Sequence, residues 1–368
     1  MCLFTAPLTV AQNSGGRNVI TGVVPNADAL SFDYWGNLWV VGQGGSVLEF
    51  GKASLAEFVP TISNNISGFS QPDAVAFDPS GNMWVANSYT NNITELNSYS
   101  NVSSSHNATT SITGNGLLDP RALTFDSGGN LWVGNGNNIL EFNSSSLSGS
   151  NITVSKVITS GVSAPTGLAF DSEGNLWVSN YGASNIIEFN ISSLAANHPM
   201  VSREIPGLSG PISLSFDPSG NLWVANNGSN NITEFAASSL RIIPAVNYTI
   251  SEGVNSPFAI TVDSSGNVWV VNHGSEKVVE IAARHSDTTD SSSSPTSTAA
   301  SSSSESTTIL ECLPPCTART TIVITTQSLT SNAPAVQYSS FFVVGLVTIA
   351  ILVMIIAVVR RAKIGRGY

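Results

Sequence analysis

The sequence contains little charge, and positive charge least of all. Only 10% of its 368 residues are charged, and 13 Lys and Arg stand against 24 Asp and Glu, which gives a formal net charge of −11. A protein that binds nucleic acid needs a basic surface to contact the phosphates. We therefore expect no nucleic-acid partner for this acidic chain.

Cysteine is also scarce, at three residues. Cys2 lies in the N-terminal segment, whereas Cys312 and Cys316 stand four positions apart near the other end. This pair can form a local disulfide, remain as two thiols or cross-link two chains, and no neighbouring His or further Cys favours a metal site. A Gly-rich phosphate loop, a Cys/His cluster and a Ser-His-Asp order are missing as well.

The sequence has instead one pattern that occurs six times: an apolar residue, Asp, two spacers, Gly-Asn, an apolar residue, Trp and Val. Successive Asp residues are 45 to 48 positions apart, and a Trp follows each Asp six residues later. A self-similar period of this length predicts a repeat architecture. The six pairs are Asp33 and Trp39, Asp78 and Trp84, Asp126 and Trp132, Asp171 and Trp177, Asp217 and Trp223, and Asp263 and Trp269.

Each repeat predicts four short strands. In the fourth repeat these are residues 165–170, 176–178, 186–189 and 202–205. Segment 171–174 between the first two strands fits a type I turn, because the Asp carboxylate accepts backbone N–H groups and Gly adopts the positive φ at the end. Four short strands per period are typical of a propeller blade, and no window of helical periodicity competes with them.

The beginning of the chain is predicted to close the ring. The pattern stops after segment 278–282, so the sixth blade lacks a fourth strand, and segment 18–23 matches 156–162, a fourth strand of another blade. We therefore predict an all-β, six-bladed β-propeller of four-stranded blades over residues 17–285, closed by the N-terminal strand. Such closure removes an exposed strand edge that would otherwise pair with other chains.

Two segments of the fourth repeat carry a family resemblance. Residues 167–180 (Gly-Leu-Ala-Phe-Asp-Ser-Glu-Gly-Asn-Leu-Trp-Val-Ser-Asn) and 186–189 (Ile-Ile-Glu-Phe) resemble NHL repeats. The wider set includes gluconolactonase-like and streptogramin-lyase-like propellers, and the resemblance covers residues 17 to 283. It implies the fold, but these propellers include enzymes, binding modules and scaffolds, so it assigns no activity.

The segments outside the repeats predict a single-pass protein of the cell membrane. Residues 1–16 are either the tail of a signal peptide or a frayed terminus, and the Ser/Thr-rich residues 286–340 are typical of a disordered stalk. Residues 341–359 carry no charge and are long enough to span a bilayer as one helix. The basic tail 360–368 then places the C-terminus in the cytoplasm and the propeller outside. Ten Asn-X-Ser/Thr sequons, among them Asn65, Asn92, Asn151 and Asn231, permit glycosylation there.

Residues that recur in every repeat are expected to be structural, so a site is expected where the repeats differ. The structural set includes the turn Asp and Gly, the Trp and the third-strand Glu, which is Glu49, Glu95, Glu141, Glu188, Glu234 and Glu280. The residue entering each first strand varies, in the order Asp28, Asp73, Arg121, Thr166, Ile212 and Phe258. The connection after each second strand also varies, and it contributes Gln43, Ser88 with Tyr89, Asn135, Tyr181, Asn227 and His273.

Strand alternation places both variable sets on one face of the propeller, where they converge on a channel mouth. A mouth that combines polar and apolar side chains is typical of a ligand site. Ordinary drift in solvated loops is the alternative. The predicted ligand contacts are Asp28, Asp73, Arg121, Thr166, Tyr89, Tyr181, Phe258 and His273.

The resemblance also implies two enzymatic interpretations. Gluconolactonase-like propellers bind a divalent metal at this mouth, so Asp28 and Asp73 with Asn135 or Asn180 would hold Ca²⁺, Mg²⁺ or Mn²⁺. That family's early Glu-Gly-Pro-x-Trp segment is missing here. Streptogramin-lyase-like members use a His base with acidic metal ligands, which makes His273 the candidate catalytic residue. The sequence assigns it no acidic partner, and an exposed loop histidine is the alternative.

The sequence therefore favours a non-enzymatic extracellular module that presents one face of the propeller to a protein, a glycan or a small ligand. A metal-dependent lactonase or lyase is the first alternative. A structural component of the cell surface is the second.

Overall fold

The structure is a computed structural model, and it describes residues 19–21, 26–42, 44–57, 60–97, 108–149, 151–282, 306–310 and 322–326. The chain divides into two compact units, residues 1–288 and residues 289–368. The first unit contains the six repeats.

Six antiparallel four-stranded sheets make up the first unit, one for each repeat. The first strand of every blade is innermost, because first strands of neighbouring blades contact each other around the whole ring, including those of blades six and one. The predicted six-bladed, all-β propeller is thus confirmed. The strands of blades one to three are β2 (Ala27–Phe32), β3 (Leu38–Gly42), β4 (Ser46–Phe50), β5 (Ile62–Ser67), β6 (Pro72–Phe77), β7 (Met83–Asn87), β8 (Asn92–Leu96), β9 (Ala108–Thr113), β10 (Pro120–Phe125), β11 (Leu131–Asn135), β12 (Asn138–Phe142) and β13 (Val154–Ile158).

Blade six takes its fourth strand from the start of the chain. Strand β1 (Val19–Thr21) pairs antiparallel with β24 (Lys277–Ile281), with Val19 opposite Val279, so the predicted closure is confirmed. The side chain of Ile20 is fully buried in the core there. The remaining strands are β14 (Pro165–Phe170), β15 (Leu176–Asn180), β16 (Asn185–Phe189), β17 (Arg203–Ile205), β18 (Pro211–Phe216), β19 (Leu222–Asn226), β20 (Asn231–Phe235), β21 (Val246–Ile250), β22 (Pro257–Val262), β23 (Val268–Asn272) and β24 (Lys277–Ile281).

The repeated Asp organises the turn between the first two strands. In blade four, Asp171 Oδ1 accepts the backbone N–H groups of Glu173 and Asn175, both at 2.9 Å. Its Oδ2 accepts Asn175 Nδ2 at 2.8 Å and the indole Nε1 of Trp177 at 2.9 Å. The other five turns have the same four bonds. The motif therefore satisfies the polar edge of each Trp within its own blade.

The same Trp joins each blade to the next. Its ring lies edge-on or tilted against the Phe that ends the following first strand, with ring centroids 5.8 to 6.1 Å apart at five of the six junctions. One of the five is the closing junction, where Trp269 of blade six contacts Phe32 of blade one. At the sixth junction Val262 replaces the Phe and packs in the cluster around Trp223. Such aromatic contacts add stability beyond the area that they bury.

Short helical turns connect some strands. Among the described residues, four helices of one turn follow the third strands of blades one, three, four and five, and each buries one Leu: α1 (Lys52–Leu55), α2 (Ser144–Leu147), α3 (Ile191–Leu194) and α4 (Ala237–Leu240). Three 3-10 turns follow second strands, at Tyr181–Ala183, Asn227–Ser229 and His273–Ser275. The last of these turns carries His273, which contacts Asp28 of blade one.

The second unit contains two described strands, β25 (Ser306–Leu310) and β26 (Ile322–Thr326), which pair antiparallel. They lie within the predicted disordered stalk 286–340, and the structure does not confirm that disorder. Segments 1–16, 341–359 and 360–368, with Cys2, Cys312 and Cys316, lie outside the described residues. Within the part that is described, none of the helices has the length and apolar character needed to cross a bilayer.

Candidate functional site

A β-bulge occurs at the same place in the first strand of every blade. The pairing with the second strand skips one residue directly after the strand's first residue. A bulge leaves its extra residue out of the ladder and redirects its side chain. The six skipped residues are Asp28, Asp73, Arg121, Thr166, Ile212 and Phe258, the same six positions where the repeats differ.

A central cavity of about 670 Å³ runs between the six first strands, and all six bulge residues line it. The structure therefore brings these residues together, although they are up to 230 positions apart in the chain. Around the ring, an acidic sector in blades one and two is followed by Arg121 and Thr166. Ile212 and Phe258 complete the ring as an apolar sector. The Oγ1 of Thr166 is buried and has no hydrogen-bond partner in the structure.

Asp73 is the partly buried carboxylate of the acidic sector. Burial raises the pKa of Asp73, and the neighbouring carboxylates of Asp28 and Asp119 raise it further. A hydrogen bond from the Ser88 side chain and the charge of Arg121 act in the opposite direction. The net effect is a raised pKa, so ionisation of Asp73 is less favourable in the folded protein than in water.

Arg121 has a partner of its own. Its Nε lies 2.7 Å from Oδ2 of Asp119, and the two side chains are 51% and 41% exposed. Both residues line a second pocket of about 230 Å³ beside the cavity, together with Asp73, Ser88, Tyr89, Gln71 and Phe258. Much of the positive charge of Arg121 is therefore compensated by the carboxylate of Asp119.

His273 is held between blades six and one. Its Nε2 lies 3.0 Å from Oδ1 of Asp28, which is 3% exposed, and also contacts the carbonyl oxygen of Ala27. Its ring stacks on Phe258, with centroids 4.0 Å apart and planes within 10°. Both partners of Nε2 are acceptors, so this nitrogen carries a proton. Asp28 is the acidic partner that the sequence did not assign, because only ring closure brings blade one beside blade six.

Asn135 and Asn180, the predicted amide ligands of a metal, lie away from the cavity. Asn180 is fully buried, where its Oδ1 accepts the N–H of Ser163 and its Nδ2 donates to Gly161 and Asn185. Asn135 makes the equivalent bonds in blade three. The structural role was detectable in the sequence, since Asn ends the second strand in five blades: Asn87, Asn135, Asn180, Asn226 and Asn272.

The predicted metal ligands thus do not form one set. The side-chain amides of Asn135 and Asn180 are already hydrogen-bonded at the ends of their strands, and Asp28 already contacts His273. Among the described residues, no three His, Cys, Asp or Glu side chains form a group suited to a metal ion. The residues present do not fit the Ca²⁺, Mg²⁺ or Mn²⁺ site that the resemblance implied.

The remaining predicted contacts are the two tyrosines. Tyr89 is exposed and lines the second pocket. Tyr181 is exposed in the 3-10 turn of blade four and lines neither cavity. Of the other connection residues, Asn227 donates to the carbonyl of Pro257 at 3.2 Å, and Gln43 lies outside the described residues.

An aromatic pair that the sequence analysis missed lies on the opposite face. Tyr34 and Trp35 occupy the two spacer positions of the blade-one turn, where the other repeats have Pro, Ser, Gly or Glu. Their side chains are 66% and 60% exposed, and Tyr34 lines the far end of the cavity. The signal was available, because Trp35 is the only one of the seven Trp residues that does not occupy the Trp position of the motif.

Comparison with protein-family models and with curated proteins finds no match. Among solved structures, the chain is similar to a catalytically inactive virginiamycin B lyase from Staphylococcus aureus with quinupristin, at 17% identity over 76% of this chain and 97% of that one, with a TM-score of 0.50. It is similar also to hydrazine synthase of Kuenenia stuttgartiensis (12% identity, 72% and 97% covered, TM-score 0.53) and to a WD40 β-propeller domain (13% identity, 71% and 94% covered, TM-score 0.51). Identities this low show the fold alone: the chain is a six-bladed β-propeller whose structural neighbours include the streptogramin B lyases.

Proposed function

We propose that this protein is an extracellular binding module whose channel mouth recognises a protein, a glycan or a small ligand. One observation supports the proposal: six bulges direct six side chains of five different kinds towards one cavity of about 670 Å³. The fold itself does not need this variety, because the turn Asp and the Trp are the same in all blades. Ligand pockets typically measure about 300–1,000 Å³ and combine apolar walls with a few polar groups.

The test is capture of ligands from an array of surface peptides and glycans by the full-length protein. We expect the double variant Asp73→Ala and Arg121→Ala to lose the ligands that the wild-type protein retains, because both side chains line the cavity. The matched control is Trp35→Ser on the opposite face, which should retain them with unchanged affinity. Ligands lost in the control and kept in the mouth variant would contradict the proposal.

The membrane anchor is a second part of the proposal. Segment 341–359 has nineteen consecutive uncharged residues, which span ~28 Å as a helix, and basic residues follow it directly. We expect protease added to intact cells to remove the propeller and to spare a tag placed after Tyr368. Cleavage of the tag with protection of the propeller would contradict the anchor and its orientation.

The position of His273 favours a second candidate function, a lyase or lactonase at the same mouth. His273 lines neither cavity, but its Nε2 donates to Asp28, which lines the mouth, and in the neutral ring Nδ1 is then the nitrogen that accepts a proton. A histidine oriented by a carboxylate is a common general base. The test is turnover of a simple lactone and of a streptogramin B. Loss of that turnover in His273→Phe, which keeps an aromatic ring against Phe258, would favour the enzyme; a wild-type protein without turnover would remove this candidate.

A further inference from the structure

The charges at the mouth point to the class of ligand, an inference that rests on the proposed function. We propose that the mouth binds an organic cation: an ammonium or guanidinium group on an apolar body, as in the basic side chains or the amino terminus of a peptide. The mouth has one acidic sector and one apolar sector, and such a ligand matches both.

Negative charge exceeds positive charge at the mouth. Three carboxylates, Asp28, Asp73 and Asp119, lie at or beside the mouth, against one guanidinium, that of Arg121. Asp119 holds that guanidinium at 2.7 Å. The acidic sector formed by Asp28 and Asp73 is therefore left with an excess of negative charge, since a pair of opposite charges in contact attracts other ions weakly.

Asp73 is the carboxylate that would contact the cation. Asp28 is almost fully buried and contacts His273, whereas Asp73 lines both the cavity and the second pocket. Burial and the nearby carboxylates raise the pKa of Asp73, so its charged form lacks full compensation. A ligand cation beside it would compensate that charge where water does so poorly.

The apolar sector, formed by Phe258 and Ile212, matches the apolar body of such a ligand. Phe258 lines both cavities and is held in place by its stack on His273. Ile212 of the neighbouring blade extends the same wall. An aromatic face attracts cations through its negative quadrupole and also buries hydrocarbon, so it favours a ligand with both features.

An anionic ligand fits less well. Arg121 is the only cationic side chain among the residues that line either cavity, and an anion bound to it would displace or approach Asp119. Asp73 in the adjacent blade would repel the same anion. Charge repulsion therefore disfavours the ligand that Arg121 alone would attract.

Three probes of similar shape distinguish a site for a cation from one for an anion or a neutral ligand. They are 2-phenylethylamine, 3-phenylpropionate and 2-phenylethanol, each titrated calorimetrically into the full-length protein near neutral pH. We expect the amine to bind about tenfold more tightly than either of the others. Asp73→Asn should weaken amine binding about tenfold, whereas Arg121→Gln should leave it unchanged or strengthen it. Weaker amine binding in Asp73→Asn, without weaker binding in Arg121→Gln, is specific to a cation site.

Higher salt gives a readout that needs no variant: it should weaken binding of the amine and leave 2-phenylethanol unaffected. Equal or tighter binding of 3-phenylpropionate, absence of amine binding, or amine affinity unchanged in Asp73→Asn would overturn the inference. The array experiment separates this failure from failure of the proposed function. If the double variant at Asp73 and Arg121 still lost the array ligands, the mouth would remain the binding site, and only the proposal that its ligand is a cation would be wrong.

Discussion

Each motif Trp depends on one carboxylate oxygen for its polar edge. In blade four, Oδ2 of Asp171 accepts both the indole of Trp177 and the amide of Asn175. The indole ring is buried, so its N–H cannot turn to water when the acceptor is lost. A residue in this position is retained for the turn, which is why its sixfold repetition carries no information about a ligand.

We predict that Asp171→Ala lowers the free energy of unfolding by about 3 kcal/mol, because it leaves buried donors without an acceptor. Urea denaturation measures the change. Trp35→Ser, which removes an exposed side chain, should change it by less than about 0.5 kcal/mol. A similar small effect for Asp171→Ala would show that the turn does not depend on the carboxylate.

Asp73 gives a prediction about pH. Its raised native pKa means that the folded protein binds a proton more tightly than the unfolded chain, so stability is lost as the pH rises from the ordinary value of 3.8 through the native value. Burial is the main cause of this raised pKa, and Ser88, Asp28, Arg121 and Asp119 are the neighbouring groups that modify it. Relative to Asp73→Asn, the wild-type protein should therefore lose stability across that window and no further above it. Urea denaturation at a series of pH values tests this, and a difference that does not vary with pH would contradict it.

At the scale of the element, the bulge explains how one face can vary while the sheet stays regular. A bulged residue is outside the ladder, so its side chain can be acidic, basic or aromatic without disturbing the strand pairing. Strand alternation in the sequence placed these positions together, and the structure shows that all six line the cavity. A bulge has no distinct composition, so it was not predicted. The turn residues were predicted because their chemistry is local.

Strand β1 is the element that makes the ring complete, and its Ile20 corresponds to Ile158 in the fourth strand of blade three. Both side chains are fully buried. We predict that Ile20→Ala and Ile158→Ala each cost about 2–4 kcal/mol in unfolding free energy, as for other buried isoleucines. If the N-terminal variant cost much less than its match in blade three, β1 would not be a full member of blade six.

At the scale of the whole molecule, the sequence predicted the ring but not the contacts that the ring creates. Each repeat contains the Asp turn and the Trp that its own blade needs, so the blades could be predicted from local sequence. The contact between His273 and Asp28 needs two ends of the propeller to meet, so neither residue reveals it alone. Asn135 and Asn180 have structural hydrogen bonds that the sequence could have indicated, because Asn recurs at this position in five blades and such repetition marks structure, as it does for the Asp.

Ring closure also has a global consequence. Removal of residues 17–24 takes away β1 and exposes the edge of β24, so we predict a melting temperature lower by about 10 °C and a tendency to associate through the free edge. Calorimetry and sedimentation measure the two effects. A truncated protein that melts like the intact chain would contradict the closed ring.

The central claim is that the bulged face of the closed propeller is where a ligand binds. Hydrogen exchange of the full-length protein, with and without a saturating array ligand, tests it most directly. We predict that slowed exchange is concentrated at the bulges, at residues 28, 73, 121 and 258, where the backbone lies outside the ladder. Slowed exchange at the Asp turns around Tyr34 and Trp35, with none at the bulges, would contradict the account.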